Sequence, residues 1–559
     1  MHKKYQPVQT ILVGGAAGDG VHESSLLLAR LLGSIGYHFY VGLDYQSLIR
    51  GGHNFCRVSF ARDEVWCDHR DLDFLIALNE SSVAKHLSEL NKEAVILAEE
   101  GTAIKWPAEQ VVFLPSAKLV QAVGGKTIMR ATVFLGALVK LWGLDFSVLE
   151  DIFKNYLTKS VEINLQLAKH GFDLAPAGQK IVSAEALAGE IFSGNEALAL
   201  GLAKAGLNWY FGYPMTPSTT IHHYLAKNNL TLNVKTIQPE NEIAVINMAV
   251  GAAAAGARVA VGTSGGGFDL MAEGLSFAGM VEAPLVVALS QRSGPSTGVP
   301  TYPAQADLLT ALFSGHGEWP KLVVAPGDPA EAAELSALAM NLALKYQTPA
   351  IVLLDQLLSE NSTVLHPEKI KIARADLKED KLGGEKYGRY QITADGISPW
   401  ARFGLKNTMV KWNSYEHDEQ GFTTEEPEAV RVMQEKRMKK MAGLTGDTAG
   451  LIKVYGDPKA KTAVIFWGGT KAPILEATKY LKKAPRLVQV QSLRPLPVES
   501  LKKSLSRVKK IAVVENNFTG QLARHLKAAL PVKIDKQILK YDARGFDPLV
   551  LAEKLNKFL

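Results

Sequence analysis

Residues 208–219 read NWYFGYPMTPST, an aromatic run that stops at a loop held by two prolines, with a helical pattern on either side. Short aromatic or β-branched runs bounded by Pro and Gly read as strands. A strand set between helices is the repeating unit of a parallel sheet. The alternation continues outward in both directions. Upstream, the helical stretch NEALALGLAKAG opens the unit at Gly194; downstream come LNVKTI, the helix NEIAVINMAVGAAAAG, ARVAVGTS, a further helix, PLVVALSQ, KLVVAP and AIVLLD, out to about residue 372. Residues 1–175 alternate in the same way, with strands expected at ILVGG, YHFYVGL, DFLIAL, AVILAE and VVFLPS, and residues 451–559 do so at TAVIFWGG, LVQVQSL and KKIAVVENN. The expected fold class is α/β, with several doubly wound, mainly parallel sheets. Residues 176–193 read as a linker and residues 373–450, rich in Lys, Glu, Asp and Gly, as a polar insertion. The helix RVMQEKRMKKM within that insertion reads as a solvated face rather than a nucleic-acid patch.

A chain of 559 residues is too long for a single core, in keeping with several units. The net charge of +6 is a mild surplus and does not argue for a nucleic-acid partner. No apolar stretch reaches the roughly 20 residues of a membrane span. The N-terminal MHKKYQPVQTILVGG reads as a first strand rather than a signal peptide, so the expected location is cytoplasmic. Cys56 and Cys67 are the only cysteines. A cluster usually takes about four thiolates, so both are expected to be small buried residues, and no metal site is expected on this chain.

Four stretches carry candidate chemistry. Thr216, between Pro214 and Pro217, is placed at the carboxyl end of a strand, where open α/β sheets bind ligands; the same residue is also a sound helix cap. Glu242 heads a helix with Ala and Gly on nearly every side after Met248, where a carboxylate is ordinarily a helix-dipole partner. The Gly-rich turn TSGGGFDLMAE, residues 263–273, offers backbone N–H groups to an anion or a ring. Arg292, in QRSGPSTGVPTYPAQADL, follows a strand at the same edge as Thr216, and its guanidinium suits a carboxylate.

Taken together, YPMTPST, ENE with the Ala/Gly helix, TSGGGFDLM and QRSGPSTG closely resemble the pyrimidine-binding domain of 2-oxoacid:ferredoxin oxidoreductases. GGAAGDGVHES, Tyr45 and IRGGH at 49–53 resemble that family's gamma domain, and RYQITADGISP, EHDEQGFTTE, SLRPLPVE and VVENNFTGQLARHL the rest of a fused gamma–alpha subunit with a transketolase-C-like end. The resemblance implies thiamine diphosphate shared between this chain and a beta subunit. Glu242 would bond the aminopyrimidine and promote loss of the thiazolium C2 proton. Thr216 and Arg292 would hold the substrate's carboxylate, while Tyr213, Pro214, Ser264, Gly265 and Phe268 would line the cofactor.

It further implies oxidative decarboxylation of a 2-oxoacid with coenzyme A, giving acyl-CoA, carbon dioxide and reduced ferredoxin, in an (alpha-beta)2 heterotetramer. The EHDEQGFTTE stretch leans toward 2-oxoglutarate; pyruvate, branched-chain or aryl 2-oxoacids, or a non-catalytic subunit, are the alternatives. The Gly18-Asp19-Gly20 triplet imitates the start of a magnesium–diphosphate site, but LDYQSLIR fills the window where an Asn pair should follow. The Mg2+ and the [4Fe-4S] cluster are therefore expected on the beta subunit. Gly14, Gly15, Gly18 and Gly20 are left as a tight turn that either binds coenzyme A or is structural. Met215 stands where the family has Ile, and Gly266 where many relatives have Pro.

Overall fold

The computed structural model describes residues 7–46, 51–178, 181–375, 387–406 and 408–559; Ile49 and Arg50 of the IRGGH stretch lie outside them. Among these residues the strands form three sheets. The second sheet positions the site. In spatial order it runs Ser492–Arg494, Leu322–Val324, Ala350–Asp355, Val286–Gln291, Val259–Thr263, Trp209–Gly212 and Lys235–Ile237, with every neighbour parallel except the first pair. Every residue of Val259–Thr263, Val286–Gln291 and Ala350–Asp355 is buried, as strands covered on both faces should be. That burial explains their Val-, Ala- and Leu-rich composition.

The first sheet is mixed rather than mainly parallel. The strand Gly51–Ala61 lies antiparallel between Gln9–Ala17 and His38–Asp44, while Leu72–Ala77, Leu90–Glu99 and Val111–Leu114 continue parallel from Gln9–Ala17. Cys56, Val58 and Phe60 of the unexpected strand alternate into the core at period two. The sheet also crosses the expected unit boundaries. Glu190–Ser193, inside the stretch read as a linker, pairs with Ser362–Leu365, which touches His38–Asp44 at Ser362. The third sheet holds Ile452–Gly456, Arg486–Val490, Thr462–Phe466, Lys510–Glu515 and Lys536–Leu539.

The helix Pro427–Thr448 departs most from its sequence reading. Lys436, Arg437 and Lys440 are buried, not solvated. Glu282, in the turn before Val286–Gln291, accepts from both lysine ammonium groups. Arg437 makes a two-pronged contact with Glu416. A basic stretch looks solvated only while its carboxylate partners, distant in sequence, are out of view. Cys56 and Cys67 are buried and unbridged, and burial pushes the Cys56 thiol up to about 12. No helix among the described residues is long and apolar enough to cross a membrane.

Candidate active site

Strand register brings the candidate residues together. Gly212 pairs with Gly262, Thr263 with Leu289, and Gln291 with Asp355, so these parallel strands end along one edge. Tyr213–Thr216, Ser264, Arg292 and Gln356 each leave that edge, and the stretch after Lys235–Ile237 leads to Glu242.

Glu242 opens the helix Glu242–Ala254, but the cap is Asn241, whose side chain accepts from the Ala244 N–H at 2.9 Å. Glu242 is thus not needed as a cap. It is only 3% exposed, and its Oε1 has no hydrogen-bond partner. The Ser264 hydroxyl, fully buried at the start of Gly265–Leu270, is likewise unpartnered. Such orphaned groups cost roughly 1–3 kcal/mol each. Gly267 lets the turn close over them: a Cβ there would lie 2.6 Å from Glu242 Oε1 and 2.1 Å from Thr263 Oγ1. Phe268 is fully buried in the core beneath the turn, where it packs rather than lining the surface. Tyr213 and Pro214 border a small cleft with His222 and Gln238.

The Thr216 loop is braced from several sides. Its helix starts at Thr219 with Ser218 in the cap position, so Thr216 is not the cap. Arg292 Nη1 donates to the Thr216 carbonyl at 2.8 Å. Asn195, buried at the head of Gly194–Lys204, donates to the Pro217 carbonyl at 2.7 Å and to Thr220 Oγ1 at 2.8 Å. Tyr45, from the first unit, donates to Glu360 Oε1 at 2.7 Å. Burial lowers the Arg292 guanidinium, with Asp307 opposing. Asp307 is pushed up to about 6 by burial and by Asp269, with Arg292 pulling it down. The functional reading of the sequence omitted Asn195, Asp307 and Glu360; each is a single polar residue whose partners come from other elements, so no local pattern marks it.

The Gly14–Gly20 turn lies elsewhere and is closed on itself. The Ala16 N–H donates to Asp19 at 2.8 Å, Gly14 packs on Ser82, and a Cβ at Gly20 would lie 2.6 Å from the Ile128 carbonyl. Gly18 alone faces open space. A separate cavity of about 820 Å³ opens between the three sheet units, walled by Gln46, Arg57, Tyr302, Gln356, Lys471 and Arg544 among others.

Comparison with known proteins agrees with this layout. A family model described as pyruvate flavodoxin/ferredoxin oxidoreductase, thiamine diphosphate-binding, matches residues 201–437. A second, pyruvate ferredoxin/flavodoxin oxidoreductase, matches residues 10–174. The 2-oxoacid:ferredoxin oxidoreductase subunit alpha of Saccharolobus solfataricus is 30% identical over 95% of both chains. The chain belongs to the 2-oxoacid:ferredoxin oxidoreductase family, as an alpha subunit. The 2-oxoglutarate synthase subunit KorA of Archaeoglobus fulgidus is 29% identical over 66% of this chain and 97% of its own. A solved 2-oxoglutarate:ferredoxin oxidoreductase from Magnetococcus marinus, with 2-oxoglutarate, coenzyme A and succinyl-CoA bound, superposes with a TM-score of 0.88 at 27% identity, covering 99% of each chain. In this alpha subunit the buried, unpartnered Glu242 Oε1 and Ser264 Oγ fit a thiamine pyrimidine, which brings both a donor and an acceptor.

Proposed function

We propose that this alpha subunit supplies the proton-handling half of an active site that oxidatively decarboxylates a 2-oxoacid, 2-oxoglutarate first among the candidates. The observation that carries the reading is the pair of orphaned buried groups, Glu242 Oε1 and Ser264 Oγ, on the sheet edge that also presents Thr216 and Arg292. Thiamine diphosphate, when bound, supplies the nucleophile and electron sink for decarboxylation. Glu242 holds a proton at the pyrimidine nitrogen, and Ser264 and the Gly265 backbone border the ring. Tyr213 and Pro214 form its outer wall, and Phe268 supports the turn from behind. Thr216 and Arg292 anchor the substrate's carboxylate, which fixes the keto carbon relative to the cofactor.

The edge around Glu242 exposes Tyr213, Ile237, Ile243, Met248 and Leu270. Apolar groups clustered around a half-built site suit a partner subunit. That beta subunit carries the Mg2+ and the [4Fe-4S] cluster in this reading, since two buried cysteines cannot bind a cluster. The assembly is an (alpha-beta)2 heterotetramer in the cytoplasm that passes electrons to ferredoxin and the acyl group to coenzyme A. A coenzyme A diphosphate at Gly14, Gly15, Gly18 and Gly20 requires Asp19 to release the Ala16 N–H, so Asp19→Asn should change the coenzyme A KM if the turn binds it.

The test is purification through a tag on this chain after co-expression with the neighbouring beta gene. A panel of 2-oxoacids is then assayed for coenzyme-A-dependent viologen reduction. The expected result is reduction that requires both a 2-oxoacid and coenzyme A. No reduction with any 2-oxoacid by a complex loaded with cofactor and cluster contradicts the proposal.

A further inference from the structure

We infer that the loop presenting Arg292 is held in place by both neighbouring units, with Gln305 and Tyr302 as its positioning residues. The inference rests on the assignment of Arg292 made above and adds how that side chain is kept at the site edge.

An open α/β sheet binds its ligand beyond the carboxyl ends of its strands, where the chain switches from building one side of the sheet to the other. In the C-terminal sheet that point lies between Thr462–Phe466 and Lys510–Glu515. The chain first adds Arg486–Val490 on one side of Thr462–Phe466, then crosses to Lys510–Glu515 on the other. The crevice there is filled by Gln305, a fully buried residue of the site-bearing unit. Its Nε2 donates to the Trp467 carbonyl at 2.9 Å and to Asp355 Oδ2 at 3.2 Å, and its Oε1 accepts from the Asn516 N–H at 3.0 Å. Its backbone N–H donates to the Asn516 carbonyl at 2.7 Å, and its carbonyl accepts from Asn517 Nδ2 at 2.9 Å. Trp467 and Asn516 directly follow the two strands that flank the switch. Gly468 keeps the approach open, since a Cβ there would lie 2.8 Å from Gln305 Nε2. Every donor and acceptor of the buried amide is engaged, so an apolar side chain of the same size would leave its partners unpaired.

The seat of Gln305 reaches Arg292 through short links. Two residues on, the Asp307 N–H donates to Gln291 Oε1 at 3.0 Å, and Gln291, which directly precedes Arg292, donates to the Leu354 carbonyl at 3.0 Å. The neck of the loop is closed where the Ser293 N–H donates to the Tyr302 carbonyl at 2.9 Å. Tyr302 fixes the same loop to the first unit, its hydroxyl donating to Asp44 Oδ1 at 2.8 Å. The Arg544 guanidinium of the C-terminal unit lies 3.7 Å from the Tyr302 ring centroid. Between these anchors residues 294–299 are exposed, so the loop has no core of its own to hold its shape. Its position is set from outside, by the crevice at one end and by Asp44 at the other.

The experiment uses the complex purified through this chain and a 2-oxoacid that it turns over. Measured are kcat/KM for the 2-oxoacid, KM for viologen and the unfolding midpoint. The variants are Gln305→Met, Tyr302→Phe and Arg292→Ala, and each of the first two combined with the third. Gln305→Met should lower kcat/KM about 10- to 100-fold, since a misplacement of about 1 Å costs near a hundredfold. Tyr302→Phe, which loses one hydrogen bond, should lower it about 2- to 10-fold. KM for viologen should stay at the wild-type value; a shift as large as that in kcat/KM marks a general structural effect and overturns the inference. On top of Arg292→Ala, either change should cost less than about twofold more, because the side chain it positions is gone. Losses that simply multiply with that of Arg292→Ala overturn the inference, as does a wild-type kcat/KM in Gln305→Met. If Gln305→Met yields no folded complex, Tyr302→Phe decides by the same criteria. An unchanged kcat/KM in Arg292→Ala overturns the anchor assignment itself, whereas a reduced value there beside multiplying losses overturns only the positioning.

Discussion

Replacing Glu282 with Gln should cost about 3–5 kcal/mol of stability while leaving the catalytic edge in place, because it breaks a buried ion cluster on one side only. The Glu282 side chain is 2% exposed, and those of Lys436 and Lys440 are fully buried. Arg389 donates to the Glu282 carbonyl at 3.0 Å and to Gln347 Oε1 at 2.8 Å, and Lys440 donates to the Gln347 carbonyl at 3.0 Å. The cluster therefore ties Arg389 and the helix Pro427–Thr448 to the turns that precede Val286–Gln291 and Ala350–Asp355, at the end of the sheet opposite the site. Burial alone would raise the Glu282 carboxyl, but Lys440, Lys436 and Arg389 overcome it and hold it well below the usual range. Gln keeps the shape but leaves two ammonium groups facing a neutral amide. For a unit of this size each kcal/mol moves the unfolding midpoint by about 2–4 °C, so the drop at pH 7 should be roughly 6–20 °C. In the variant both lysines titrate further below their unfolded value of about 10.4. Burial already lowers Lys440 to about 7 in the wild type, so the folded variant holds fewer protons than the folded wild type from below that pH upward, and the deficit should narrow as pH rises through it, between about 6 and 8. Calorimetry and denaturant unfolding at both ends of that range check the outcome. A deficit below about 1 kcal/mol at pH 7, or one that widens with pH, refutes the reasoning.

Gly267→Ala puts a methyl 2.6 Å from Glu242 Oε1 and should displace the carboxylate. A misplacement of about 1 Å costs near a hundredfold in rate, and turnover unchanged within about threefold would count against the pocket geometry. Asp307→Asn removes a carboxyl raised to about 6 by burial and Asp269. The folded wild type binds the extra proton between about 3.9 and 6, so its stability falls as pH rises through that window. The variant's relative stability should grow by roughly 2 kcal/mol between pH 4.5 and 7 in urea unfolding, and a difference independent of pH would show that the carboxyl is not perturbed. Arg292→Ala should lower kcat/KM for the 2-oxoacid by about 2–4 kcal/mol, some 30- to 1000-fold; an unchanged value identifies it as a loop brace only.

The sheet that carries the site was the most legible part of the chain. Its central strands are short, mostly apolar runs, and Tyr213, Ser264 and Arg292 each come directly after one, so strand ends alone placed them on a common edge. The first sheet was less legible because Gly51–Ala61 opens with two glycines and a histidine that hide its alternation. Pairing of Glu190–Ser193 with Ser362–Leu365 joins segments far apart in sequence, which no local periodicity reports. Lys436 and Lys440 read as solvated because their carboxylate, Glu282, lies 154 and 158 residues away. Glu242 stood out through its resemblance to the family and through heading an Ala/Gly helix, but that it is free of capping duty depended on Asn241.

The central claim, that Glu242 handles the proton in a 2-oxoacid-decarboxylating site, is tested most directly by Glu242→Gln in the purified complex. The measurement is 2-oxoacid- and coenzyme-A-dependent viologen reduction beside the unfolding midpoint. A loss of at least about 10²–10⁴ in kcat with an unaltered midpoint is expected, and turnover within about threefold of the wild type would contradict the account.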